Sequence, residues 1–159
     1  MAVLIVGMAD WKISRKPDVL TTLGLGSCVG ITLLDKARGI GGMSHVMLPS
    51  SEGYSQGNRM KFADTAIADM LDALLKTGAS RSALVAKIAG GAHMFSGSSA
   101  ANVLRVGERN AEVCKKILQE LRIPLNAQDV GGTHGRTIEL NIETGQLKIK
   151  TVGHGEKYI

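Results

Sequence analysis

Two residues of this chain have the types and the setting to do covalent chemistry together, Cys28 and His45. Cys28 stands in Gly24-Leu25-Gly26-Ser27-Cys28-Val29-Gly30, among neighbours too small to bury it. Glycines there also let the backbone turn so that successive N–H groups converge on one spot, which is what an oxyanion needs. His45 stands in the apolar run Met43-Ser44-His45-Val46-Met47-Leu48. An imidazole within hydrogen-bond reach of a thiol lowers the thiol pKa and supplies the attacking thiolate. Each residue alone has a plainer reading. A free cysteine usually packs as a small hydrophobe, and a lone histidine in an apolar strand is more often a satisfied core residue than a catalyst.

Other chemistries fit these residues less well. Gly26-Ser27-Cys28-Val29-Gly30 has the spacing of a nucleophile elbow, but that motif needs a helix after the turn and the residues beyond Gly30 read as strand. Gly24-Leu25-Gly26 lacks the third glycine and the helix of a dinucleotide-binding loop. The four histidines, His45, His93, His134 and His154, stand alone in sequence, with no Cys-x-x-Cys or His-x-x-x-His pair. A zinc site would have to assemble in space. Cys114 shares an apolar helix side with Ile117, Leu118 and Leu121 and reads as core packing.

The elements around Cys28 and His45 are what would bring them together. Residues 18–23 read as a strand running into the glycine-rich stretch, and 31–34 as a β-branched strand. A turn at 36–39 follows, and a returning strand over 40–48 is stopped by Pro49. Strand, turn, strand makes Cys28 and His45 candidates for opposing positions on an antiparallel pair. Residues 3–6 are a continuous apolar run, the pattern of a strand buried on both faces. Helical spacing over 60–76 ends at Gly78, where a left-handed cap is expected, and a second helix covers about 108–121. Residues 84–89 form another buried strand, 90–99 a small-residue loop, and Pro124 opens a further strand region. Alternation over 137–142 and 147–152 around Thr144-Gly145 is a hairpin with one solvated face. Strands and helices do not alternate regularly, which argues against a doubly wound parallel fold. The expected fold is α+β, a mixed layered β-sandwich flanked by helices, in a single domain spanning residues 1–159.

The 159 residues carry a formal charge of +5 and a sequence pI of about 9.4. The basic side chains are scattered and the two Phe and two Tyr form no stacking platform with them, so nucleic acid is not the expected partner. An acidic protein accounts for the charge equally well. No segment reaches the apolar length of a membrane span and the N-terminus does not resemble a secretory signal, which gives a cytoplasmic expectation with reduced thiols.

Five stretches together resemble the signature of the CheD family of chemoreceptor glutamine deamidases. They are Leu23 to Val29, Gly42 to Pro49, Lys87-Ile88-Ala89-Gly90-Gly91-Ala92, Val106-Gly107-Glu108-Arg109-Asn110, and Asp129 to Arg136. The similarity runs from about residue 3 to 150. It implies deamidation of selected glutamine side chains of chemotaxis receptors to glutamate, a protein-glutamine glutaminase activity without a cofactor or metal. It implies binding and stimulation of the phosphatase CheC. It also implies a layered fold similar to the catalytic domain of cytotoxic necrotizing factor. It places the nucleophile on Cys28, the base on His45 and a supporting hydroxyl on Thr22, otherwise an ordinary strand threonine. Backbone N–H groups of Ser27 and Cys28 would hold the oxyanion. The free protein is expected to be a monomer. Two rival readings stay open: a non-catalytic module that docks CheC and receptors, and a receptor methylesterase.

Overall fold

The computed structural model describes residues 1–54, 57–94 and 105–159. Part of the loop expected at 90–99 therefore lies outside the described residues. The elements in chain order are β1 (Val3–Ile5), β2 (Asp10–Arg15), β3 (Val19–Leu25), β4 (Val29–Asp35), β5 (Ile40–Val46), α1 (Ala63–Thr77), β6 (Val85–Gly90), α2 (Val106–Glu120), β7 (Leu125–Val130), β8 (Arg136–Asn141), β9 (Leu147–Thr151) and β10 (Gly155–Tyr158).

The strands form two five-stranded sheets, ordered β1-β3-β8-β9-β10 and β2-β5-β4-β6-β7. Both are mixed: β1–β3 and β6–β7 are parallel pairs, and the other pairs are antiparallel. One apolar cluster joins the sheets, with Leu20, Leu25, Ile138, Leu140 and Ile149 from the first and Met43 and Ala89 from the second. A second cluster joins the outer face of the second sheet to the helices, through Val29, Ile31, Leu33 and Val46 against Ile67, Met70, Leu74, Cys114 and Leu118. Layers therefore run sheet, sheet, helices. Strands β4 and β5 lie between both cores and are buried at every residue. The α+β sandwich expected from the sequence is the fold found.

Local signals account for most of the elements. Ala66, Ile67, Met70, Leu71 and Leu74 line the buried side of α1. Gly78 ends it at φ 117°, its N–H bonded to the Leu74 and Leu75 carbonyls, as the sequence predicts for a left-handed cap. The β8–β9 hairpin alternates buried and half-buried residues as expected.

Three expectations need correction. Strand β1 is not buried on both faces: Val3 and Ile5 are 56% and 57% exposed, because β1 pairs on one side only, with β3, at the edge of its sheet. Strands β2 and β10 were not expected. Asp10, Lys12 and Arg15 interrupt the pattern of β2, and β10 is exposed throughout. Both are edge strands held by ladder bonds to β5 and β9, where one wetted flank tolerates charge.

Candidate active site

Strand register decides which side chains meet. Along the β4–β5 pair Val29 opposes Val46 and Gly30 opposes His45. Side chains alternate faces, so Val29 and Val46 point into the helix-side core, and Cys28 shares the inter-sheet face with His45. The two are diagonal neighbours, not directly opposed as expected from the hairpin. The position facing His45 is Gly30. A Cβ there would come within 2.5 Å of Ile138 Cδ1 and 3.2 Å of Leu25 Cδ1. Ile138 and Leu25 of the first sheet thus pack over Gly30.

Thr22 reaches the histidine from the other sheet. Its Oγ1 lies 2.7 Å from His45 Nδ1 and donates to the Val6 carbonyl at 2.6 Å. A hydroxyl has one proton. With that proton on Val6, Thr22 Oγ1 accepts from the histidine, which puts the imidazole proton on Nδ1. Nε2 is left with its lone pair, the form a general base requires. His45 and Thr22 are fully buried, and Nε2 has no hydrogen-bond partner, the Cys28 thiol included. The bonded thiol–imidazole pair expected from the sequence is therefore not formed in this resting geometry. Catalytic hydrogen bonds commonly close only when substrate is bound.

Burial sets the charge state. It pushes the His45 imidazole below its ordinary pKa. It also pushes the Cys28 thiol up. Both shifts favour the uncharged forms of the two groups. A proton must pass from sulfur to Nε2 as attack occurs.

Among the described residues no hydrogen-bond acceptor meets the Ser27 or Cys28 N–H. Their position is fixed from outside. The Gly91 N–H bonds the Cys28 carbonyl at 2.8 Å, and Gly90, at φ 112°, lies so close that a Cβ would come 2.3 Å from the same oxygen. Below this, Arg136 is 7% exposed, paired with Asp129 at 3.0 Å and donating to the Gly90 and Gly131 carbonyls. Burial opposes the Asp129 charge, but hydrogen bonds from Lys157 and Arg136 hold its carboxyl below the usual range.

Cys114 is fully buried between α2 and the second sheet, and burial pushes its thiol up to about 12. It is core packing, as the sequence suggests. His134 and His154, apart in sequence, meet with their Nε2 atoms 3.2 Å from each other. Among the described residues no cluster of three or more His, Cys, Asp or Glu side chains could hold a metal ion. Two residues near the site escaped sequence reasoning. Arg136 and Asn110 both lie in stretches that carry the resemblance, yet nothing in their local pattern shows that they are buried.

A thiol, a base in a fixed tautomer and backbone donors form a constellation suited to thiol-dependent acyl transfer. Residues 47–151 match the model of the CheD family of chemotactic sensory transduction. The chain is 49% identical to the probable chemoreceptor glutamine deamidase CheD of Caldanaerobacter subterraneus subsp. tengcongensis, over 99% of this chain and 98% of the relative. It is 56% identical to the probable chemoreceptor glutamine deamidase CheD of Lachnoclostridium phytofermentans, over 97% and 96%. It is 52% identical to the chemoreceptor glutamine deamidase CheD of Halalkalibacterium halodurans, also over 97% and 96%. Among solved structures, a Neisseria meningitidis protein, NMB0706, superposes on 83% of this chain and 63% of its own with a TM-score of 0.48 at 8% identity, too loose a likeness to argue from. This chain belongs to the CheD family. No helix among the described residues is long and apolar enough to cross a membrane.

Proposed function

We propose that this protein is a chemoreceptor glutamine deamidase, converting receptor glutamine side chains to glutamate with Cys28 as nucleophile, His45 as general base and Thr22 as the group that orients the base. The observation that carries the reading is the hydrogen-bond chain from His45 Nδ1 through Thr22 to the Val6 carbonyl. It leaves a bare Nε2 on the same strand face as the thiol, which a merely structural histidine does not need.

In the proposed reaction Nε2 takes the Cys28 proton as sulfur attacks the carboxamide carbon. The oxyanion is received by the Ser27 and Cys28 N–H groups, each such donor being worth about 3 kcal/mol in a typical hydrolase. The imidazolium returns its proton to the nitrogen as the C–N bond breaks and ammonia leaves. The same imidazole then takes a proton from water, which attacks the thioester. Collapse expels the Cys28 sulfur, which regains its proton, and leaves a glutamate carboxylate. No step needs a cofactor. The reading carries CheC and the receptors as protein partners, a cytoplasmic site of action, a free monomer, and a likeness of the fold to the catalytic domain of cytotoxic necrotizing factor.

A receptor cytoplasmic fragment prepared with glutamine, or with the methyl ester of glutamate, at the same position tests the reading. Ammonia from the glutamine form that depends on Cys28 is the expected result. Methanol from the ester without ammonia from the amide identifies a methylesterase, and binding without either product identifies a docking module.

A further inference from the structure

Helix α2 touches the site through one buried side chain. We propose that Asn110 is a positioning residue of the thiol centre, which fixes the plane of the Ser27–Cys28 peptide and so aims the Cys28 N–H at the oxygen where charge develops. The inference rests on the deamidase reading above.

Asn110 is fully buried, and its Nδ2 donates to the Ser27 carbonyl at 2.9 Å and to the Met47 carbonyl at 3.0 Å. Ser27 directly precedes the nucleophile, and Met47 follows the base by two residues. One amide group thus ties the entry of β4 to the exit of β5. In a trans peptide the C=O of one residue and the N–H of the next point in opposite directions across a rigid plane. Holding the Ser27 oxygen toward α2 turns the Cys28 N–H away from the helix. Nothing in Gly24-Leu25-Gly26 stiffens this stretch locally, since glycine leaves the backbone loose, so the restraint has to come from another element.

Two further observations support the assignment. Among the described residues Asn110 Oδ1 is buried with no hydrogen-bond partner, so the side chain's hydrogen bonds are those of its amide nitrogen. The position therefore supplies donors, and both are used on the backbone of the site. Gly107, one turn earlier on the same side of α2, lets the helix approach: a Cβ there would lie 2.3 Å from the Ala92 carbonyl oxygen. The helix is set down close enough for a side chain as short as asparagine to reach both carbonyls.

The test compares two reactions of the same sulfur. Deamidation builds an oxyanion. Alkylation of Cys28 by iodoacetamide displaces iodide from carbon and builds none. Asn110→Ala removes both donors. Asn110→Asp keeps the shape, for the case in which the smaller side chain does not fold, and its alkylation is read at the high-pH limit so that the added charge does not enter the comparison. The expected result is kcat for ammonia release lower by about 10²-fold with KM little changed, the size of a misaimed catalytic group. The limiting alkylation rate stays at the wild-type value. Wild-type kcat in either folded variant overturns the proposal. So does an equal fall in kcat and alkylation, which marks a loosened structure. If the wild-type protein releases no ammonia, or Cys28→Ala still does, the deamidase reading itself fails and this inference falls with it.

Discussion

Strands β4 and β5 present two faces of equal burial and opposite character. Toward the helices they show Val29, Ile31, Leu33 and Val46, all buried in the larger core. Toward the other sheet the same strands show Cys28, Gly30, Thr32, Met43 and His45. The contrast extends to the two cysteines. Cys114 packs in the helix-side apolar cluster, fully buried, with its thiol pushed up to about 12. Cys28, in the inter-sheet layer, keeps 9% of its surface. Burial raises both thiols and is more complete at Cys114. The surroundings differ as well: apolar side chains of the helix-side core around Cys114, and on the strand face of Cys28 a histidine of the neighbouring strand that is hydrogen-bonded to a threonine of the opposing sheet.

The sharpest way to break this comparison is to exchange the two thiols for alanine in turn. Cys28→Ala is expected to abolish ammonia release from a glutamine-form receptor fragment with the thermal midpoint little changed. Ammonia at the wild-type rate would remove Cys28 from the chemistry. His45→Ala comes next, with an expected loss of about 10²-fold or more in kcat, as for a general base. Thr22→Val, which keeps the shape and removes the hydroxyl, costs less, because the base survives and only its tautomer and aim are released. A Thr22 variant more damaged than the His45 variant would reverse the assigned roles.

The charge states give a pH test of the same contrast. Burial lowers the His45 pKa, so neutral imidazole persists on acidification beyond the ordinary histidine value of about 6.5. The acid limb of kcat/KM is then expected below that value. Burial raises the Cys28 pKa, so its alkylation by iodoacetamide should keep rising above the ordinary thiol range of about 8.5. A rate already level at pH 6 would reveal a preformed thiolate–imidazolium pair. Cys114 should label only after unfolding. The smallest effect belongs to Cys114→Ala: about 1 kcal/mol of stability in a denaturant titration, the usual cost of a buried substitution, with deamidation unchanged.

That Cys28 and His45 lie on neighbouring strands was readable in the sequence because their setting is local. Glycines flank Cys28, and the strand–turn–strand pattern places His45 on the neighbouring strand. The register was not readable. That Gly30 and not Cys28 faces His45 depends on the pairing across the whole β4–β5 hairpin, and a two-residue shift preserves every apolar alternation. Thr22 looks like any strand threonine until the sheets are stacked, so only the family resemblance pointed to it. Asn110 and Arg136 are polar residues that become buried through contacts 83 and 46 residues away in sequence, a distance no local pattern spans. The helices and the final hairpin were legible from periodicity, whereas β2 and β10 carry too many charges to announce themselves.

The Thr22–His45 hydrogen bond crosses from one sheet to the other, so the site is complete only when the two sheets are packed together. A chain in which each sheet has formed but the two have not closed holds a cysteine and a histidine without a chosen proton. In that state the imidazole exchanges between tautomers and the thiol has no dedicated acceptor. Deamidating power should therefore appear together with closure of the sandwich and not with formation of the hairpin that carries both residues. On the proposed mechanism, recovery of deamidation during refolding is then expected to track closure of the sandwich.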